Sequence, residues 1–125
     1  MATILVIDDD PSFRDLLRLH LLAAGHTVYA AEDPEEGIHS LLENSADLIL
    51  LDLDLPYLSG FEVLEALRSD PASKEIPVIV LTGRGDEETY TRCRKIGTDG
   101  FLTKPLKKEQ LIKAVSEALG ARTQE

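Results

Sequence analysis

The chain has 125 residues, enough for one domain with a core of its own. Apolar residues make up 43% and charged residues 29%, a balance that excludes a disordered chain. Lys plus Arg is 13 and Asp plus Glu is 23, and the resulting charge of −10 argues against gripping nucleic acid or an anionic membrane through the overall field. It suits cations and basic partner surfaces.

Cys93 is the sole cysteine, so the chain has neither an internal disulfide nor a cysteine metal cage, which fits a reducing compartment. No apolar run approaches the roughly 18 residues that a membrane span needs. A strand begins by Thr3, which leaves no room for a signal peptide. The expected location is the cytoplasm.

In chain order, Ile4-Leu5-Val6-Ile7 is a continuous apolar run, the pattern of a strand buried on both faces. Asp8, Asp9 and Asp10 follow, and Asp10-Pro11 opens a helix with an acidic cap. Phe13, Leu16, Leu17, His20 and Leu21 are its expected buried stripe, and Gly25 ends it. Thr27 to Ala31 is a short strand. Asp33-Pro34-Glu35-Glu36 starts a second helix with the stripe Ile38, Leu41 and Leu42. The histidines stand at no ligand spacing, so no zinc site is expected.

Asp47 to Gly60, DLILLDLDLPYLSG, is the stretch around which the chain is organised. Leu48 to Leu51 form a third strand, buried on both faces. Pro56 and Gly60 mark the loop after it. Asp52 either merely ends the strand, as many aspartates do, or stands where open α/β sheets place their ligands and chemistry. A helix from Gly60 to about Asp70 buries Val63, Leu64 and Leu67. Val78 to Leu81 form another buried strand, ending in Thr82-Gly83.

The fourth helix, about Asp86 to Ile96, has a thin stripe of Tyr90, Cys93 and Ile96. It is expected to dock weakly, unless the thin stripe means only a polar helix. Gly100 to Thr103 are a last short strand, followed by Lys104-Pro105. The fifth helix, about Lys107 to Leu119, buries Leu111, Ile112, Val115 and Leu119, and Gly120 is expected to close it.

Strand and helix alternate five times, so the expected fold is α/β, a five-stranded parallel sheet with helices on both faces. The three strands that are apolar throughout belong in its centre. Right-handed crossovers then favour the flavodoxin-like, doubly wound order 2-1-3-4-5. That order gathers Asp8, Asp9, Asp52, Thr82 and Lys104 at one carboxyl edge. Three carboxylates within ~5 Å repel by about 3 kcal/mol per pair at an effective dielectric of 20. Either they share protons, or a divalent cation relieves them, and open oxygen sites suit Mg²⁺. A hydroxyl (Thr82) and an ammonium (Lys104) opposite suit the oxygens of a phosphoryl group, with Asp52 as the nucleophile.

Together these motifs resemble the receiver domain of two-component response regulators from Ile4 to Leu119. They are Ile4 to Pro11, Asp47 to Asp52, Leu55-Pro56, Ser59 to Leu64, Thr82-Gly83 and Gly100 to Pro105. The resemblance implies that Asp52 accepts phosphate from the phosphohistidine of a sensor histidine kinase or a histidine phosphotransfer protein. It implies Mg²⁺, or Mn²⁺ in its place, on Asp8 and Asp9, with Asp9, Asp52 and the backbone carbonyl of Asp54 as direct ligands. Thr82 and Lys104 would bind the phosphoryl group, and Phe101 would turn inward when Thr82 moves. Lys104-Pro105 would be a cis bond.

The face of the fourth helix, fifth strand and fifth helix would then change, to control an effector or an output domain or to form a dimer. Asp54 and Arg84 hold positions that tune the lifetime of the phosphoryl group in the family, and are expected to pair. Tyr57 departs from the family's usual glycine, and is either a change in loop shape and kinase docking or an exposed loop aromatic. Residues 1–121 are expected to be the receiver and 122–125 a tail or the start of a linker. The competing expectation is enzymatic, because Asp52-Leu53-Asp54-Leu55 resembles the nucleophile motif of haloacid-dehalogenase-type phosphatases, with Asp54 as general acid. Against it, that motif belongs on an early strand, and a cap domain does not fit.

Overall fold

The computed structural model describes residues 2–56 and 58–123, with side chains as far as Gly120. Met1, Tyr57 and residues 124–125 lie outside the described residues, as do the side chains of 121–123. Strands and helices alternate as β1 (Thr3–Ile7), α1 (Pro11–Ala23), β2 (Thr27–Ala31), α2 (Pro34–Glu43), β3 (Leu48–Asp52), α3 (Gly60–Ser69), β4 (Val78–Thr82), α4 (Glu87–Ile96), β5 (Gly100–Thr103) and α5 (Lys108–Thr123). All strand pairs are parallel, in the order β2-β1-β3-β4-β5.

The apolar runs explain which strands are central. In β1, Leu5 and Ile7 face one side with Ile49 and Leu51 of β3 and Val78 and Val80 of β4, packed with Leu64 and Leu67 of α3 and Cys93 of α4. Ile4 and Val6 face the other side with Leu48, Leu50, Ile79 and Leu81, under Leu17 and Leu21 of α1 and Leu111 and Val115 of α5. Successive side chains on a strand point to opposite faces, so a sheet covered on both faces needs unbroken apolar runs. Each fully buried aliphatic side chain stabilises the fold by about 1.5–3 kcal/mol.

Polar caps set the helix starts. Asp10 accepts from the Ser12 N–H, Asp33 from the Glu36 N–H and Asp86 from the Thr89 N–H, and Pro11 and Pro34 stand in the first turns of α1 and α2. Gly97 ends α4 at φ 124°, a left-handed conformation that costs glycine nothing.

Some expected faces differ. Leu16 is 44% exposed and Leu42 71% exposed. Each neighbours a residue that faces inward, Leu17 and Leu41, and one helical step turns a side chain by about 100°. A run of adjacent leucines cannot share one face. On α4 the buried residues are Thr89 and Cys93, while Tyr90 is exposed. Thr89 tolerates burial because its hydroxyl also bonds the Asp86 carboxylate, at 2.9 Å. Gly120 does not close α5, which continues to Thr123. The Lys104–Pro105 bond is cis, as the resemblance implies.

Candidate functional site

Strand register builds the site. Ile7 pairs with Leu51, so Asp8 and Asp52 come next on two adjacent strands. Thr82 ends β4 and pairs with Thr103, so Lys104 is the first residue beyond β5. The sheet therefore brings together at one edge the residues that the sequence nominates.

Asp8 and Asp52 are buried and Asp9 is half-buried, and one carboxylate oxygen from each lies within 4.8 Å of the others. Asp8 Oδ1 accepts the Asp10 N–H at 2.8 Å. Asp8 Oδ2 is buried and accepts no hydrogen bond among the described residues. Burial pushes the Asp8 carboxyl up to about 6, helped by the charges of Asp52 and Asp9 and opposed by the Asp10 N–H and Lys104. Arg14 ties α1 to this turn by donating to the Asp8 carbonyl at 2.9 Å.

One cation is already present. Lys104 Nζ lies 3.1 Å from Asp52 Oδ1 and 3.8 Å from Asp8 Oδ2, and sits 4.5 Å from the centroid of the Phe13 ring. A buried carboxylate oxygen left unbonded beside two further carboxylates is the donor set of a hard, oxygen-seeking divalent cation. These residues fit a Mg²⁺ or Mn²⁺ ion.

Across from them, Asp54 organises the other half of the site. Its N–H donates to Asp52 Oδ1 at 3.0 Å. Its Oδ1 accepts the Thr82 hydroxyl at 2.9 Å, and its Oδ2 accepts the Gly83 N–H at 2.6 Å. The Thr82 hydroxyl in turn accepts the Arg84 N–H at 3.0 Å. Arg84 Nε stands 3.6 Å from Asp54 Oδ1, the pairing that the sequence suggests. Phe101 is half-buried on β5, edge-on to Tyr90 of α4, with centroids 5.3 Å apart.

Sequence reasoning nominates Asp54 but not its contacts to Thr82 and Gly83, and it misses two further contributors, Phe13 and Phe61. Nothing in the chain pattern signals that the Asp54 side chain holds Thr82 and Gly83. Phe13 reads as a core residue of α1, and only the tertiary fold puts its ring beneath Lys104. Phe61 carries two guanidinium groups on its ring, Arg92 at 4.0 Å and Arg84 at 5.8 Å. Their separation of more than twenty positions from Phe61 hides both contacts.

The chain is similar to known proteins in sequence and in fold. The family model described as the response regulator receiver domain matches residues 4–116. The DNA-binding dual master transcriptional regulator RpaA of Synechocystis is 39% identical over 119 residues, covering 95% of this chain and 49% of RpaA. Protein PilH of Pseudomonas aeruginosa is 33% identical over 95% of this chain and 98% of its own length. The chemotaxis protein CheY4 of Vibrio cholerae superposes with a TM-score of 0.89 at 31% identity, over 95% of this chain and 99% of that one. The chain thus spans about half the length of RpaA and nearly all of PilH. Among the described residues no helix is long and apolar enough to cross a membrane. The match over residues 4–116, together with the shared fold, makes the chain a member of the response regulator receiver domain family.

Proposed function

We propose that the chain is a phosphorylation-activated switch in which Asp52 is the phosphoacceptor. The observation that carries this reading is the placement of a buried Asp52 between Lys104 at 3.1 Å and the acidic pair Asp8 and Asp9. The phosphodonor is the phosphohistidine of a sensor histidine kinase or a histidine phosphotransfer protein. An Asp52 carboxylate oxygen attacks phosphorus, the N–P bond breaks, and the imidazole leaves with the electron pair. Lys104 orients the carboxylate before transfer and takes up charge on the phosphoryl oxygens afterwards.

Asp8, Asp9, Asp52 and the Asp54 backbone carbonyl would hold Mg²⁺ or Mn²⁺. When bound, the ion supplies neutralisation of the carboxylates and of phosphoryl charge. The Thr82 hydroxyl turns to a phosphoryl oxygen, Phe101 moves into the space left beneath it, and the α4–β5–α5 face changes shape. Asp54 and Arg84, paired at the mouth of the site, set how readily water reaches the phosphoryl group. Residues 1–121 are the receiver unit, working in the cytoplasm. Its altered face acts on an effector, an output domain or a second copy. The acidic chain itself takes no part in gripping nucleic acid or a membrane.

The phosphatase reading is less well supported. There the second aspartate serves as general acid, whereas both Asp54 oxygens are engaged by Thr82 and Gly83. The test is incubation with acetyl phosphate and Mg²⁺, followed by intact mass measurement. One phosphoryl group per chain is expected, and none on Asp52→Ala. Equal uptake by Asp52→Ala overturns the assignment, and catalytic turnover of small phosphate esters restores the phosphatase.

A further inference from the structure

Thr82 has one hydroxyl proton, and it is given to Asp54 Oδ1 at 2.9 Å. The hydroxyl oxygen is engaged as well, by the Arg84 N–H at 3.0 Å. Gly83 donates its N–H to the other Asp54 oxygen at 2.6 Å. The start of the β4–α4 loop is thus clasped on a single carboxylate by a hydroxyl and an amide, with Arg84 Nε 3.6 Å away. Hydrogen bonds to a charged acceptor are stronger than those between neutral groups. The Asp54 backbone is fixed in the same place, because its N–H donates to Asp52 Oδ1 at 3.0 Å.

We propose that the Asp54 carboxylate is a latch that holds the Thr82 hydroxyl and the Gly83 amide in the unphosphorylated state and competes with a phosphoryl group for both. This rests on the reading of Asp52 as the phosphoacceptor. A hydroxyl proton given to Asp54 is not available to a phosphoryl oxygen, so activation must break the existing bond before making the new one. The same event supplies the force. A phosphoryl group on Asp52 adds negative charge next to the Asp54 carboxylate, so repulsion loosens the latch while attraction draws Thr82 inward. Asp54 acts through Thr82 and is a positioning residue. Its effect is to set the resting population of the switch.

The experiment uses beryllofluoride with Mg²⁺ as a phosphoryl mimic and measures its affinity in a double-mutant cycle. Asp54→Ala is expected to bind it ~10-fold tighter than wild type, the scale of one charge-assisted hydrogen bond. Loss of a negative charge alone would also tighten binding, so the cycle includes Thr82→Val, which keeps the shape and removes the hydroxyl. In that background the gain from Asp54→Ala is expected to shrink to ~2-fold, and in Thr82→Ser, which keeps the hydroxyl, to persist. An equal gain with and without the hydroxyl means a charge effect only, and overturns the latch.

A second readout needs no ligand. Gly83 amide exchange in the unliganded protein is expected to quicken at least ~10-fold in Asp54→Ala. Unchanged exchange overturns the latch whatever the phosphoacceptor. If beryllofluoride binds wild type no better than Asp52→Ala, the phosphoacceptor reading fails, and the exchange measurement still decides the latch.

Discussion

Lys104 Nζ and Asp52 Oδ1 are 3.1 Å apart across 52 positions of sequence. Among the described residues the ammonium is the one side-chain cation paired with the buried carboxylates of this cluster, and it stands where it offsets both Asp52 and Asp8. It therefore competes with any second cation, while the proposed phosphoryl transfer also needs its charge. Replacing it with an apolar chain of similar length separates these roles. Lys104→Met is expected to lower the rate of phosphoryl uptake from acetyl phosphate by ~100-fold, the usual loss for one stabilising charge. The same variant is expected to bind Mg²⁺ about tenfold more tightly, a value reduced for the partial exposure of the ammonium. Titration calorimetry with Mg²⁺ checks the second outcome, and weaker Mg²⁺ binding would refute the competition.

Asp8 makes stability depend on pH. Its carboxyl is raised from 3.8 to about 6 in the folded chain, chiefly by burial. Between those values the folded state keeps a proton that the unfolded chain releases. Stability therefore falls as pH rises from about 4 to about 6, then levels. At neutral pH the charged Asp8 opposes folding by about 3 kcal/mol. Asp8→Asn, whose amide oxygen can still accept the Asp10 N–H, is expected to gain most of that at pH 7 and little at pH 4. Mg²⁺ is expected to stabilise wild type at pH 7 and to do far less for Asp8→Asn. Urea unfolding midpoints across this range decide it, and parallel pH curves for the two proteins would rule out Asp8 as the cause.

The sheet and its edge were readable in the chain because backbone topology fixes them. Unbroken apolar runs at Ile4–Ile7, Leu48–Leu51 and Val78–Leu81 require two covered faces. Once those strands lie side by side, Asp8, Asp52 and Thr82 have nowhere else to go. What was not readable depends on where side chains turn after the backbone is set. Asp54 and Arg84 were expected to pair, and they do, yet the stronger bonds of Asp54 run to Thr82 and Gly83. Leucine abundance in α1 exceeded what one face can hold, so Leu16 was misplaced. Thr89 went unnoticed because a polar residue enters a core only when a partner satisfies it, here Asp86.

Gly60 at the start of α3 tests how closely the loop after Asp52 is packed. A Cβ on this residue would overlap the Leu53 carbonyl oxygen and lie 2.6 Å from Leu53 Cα, both backbone atoms. Backbone cannot yield as a flexible side chain does. Gly60→Ala is expected to cost about 1–3 kcal/mol by thermal or urea unfolding. Because Leu53 adjoins Asp52, the surviving folded protein is also expected to take up phosphoryl groups more slowly. Wild-type stability in this variant would mean that α3 approaches the loop less closely than described.

Arg92 lies 4.0 Å from the centroid of the Phe61 ring and joins α4 to α3. Only Thr89 and Cys93 of α4 are buried, so little apolar area holds this helix. A guanidinium on an aromatic face contributes about 0.5–1 kcal/mol at such sites. That is small against the stability of a whole domain but large against the docking of one thin helix. Arg92→Ala is therefore expected to leave the unfolding midpoint nearly unchanged and to speed amide exchange within α4 by about 2- to 5-fold. Arg92→Lys is expected to recover part of the protection, since an ammonium also sits on a ring. If the α4–β5–α5 face is the moving part, the looser helix shifts the resting population toward the active arrangement, and Arg92→Ala binds beryllofluoride more tightly by a similar factor. Exchange that quickens equally in α1 and α5 would mean general destabilisation and defeat the assignment. Exchange unchanged in α4 would show that Phe61 and Arg92 do not anchor it.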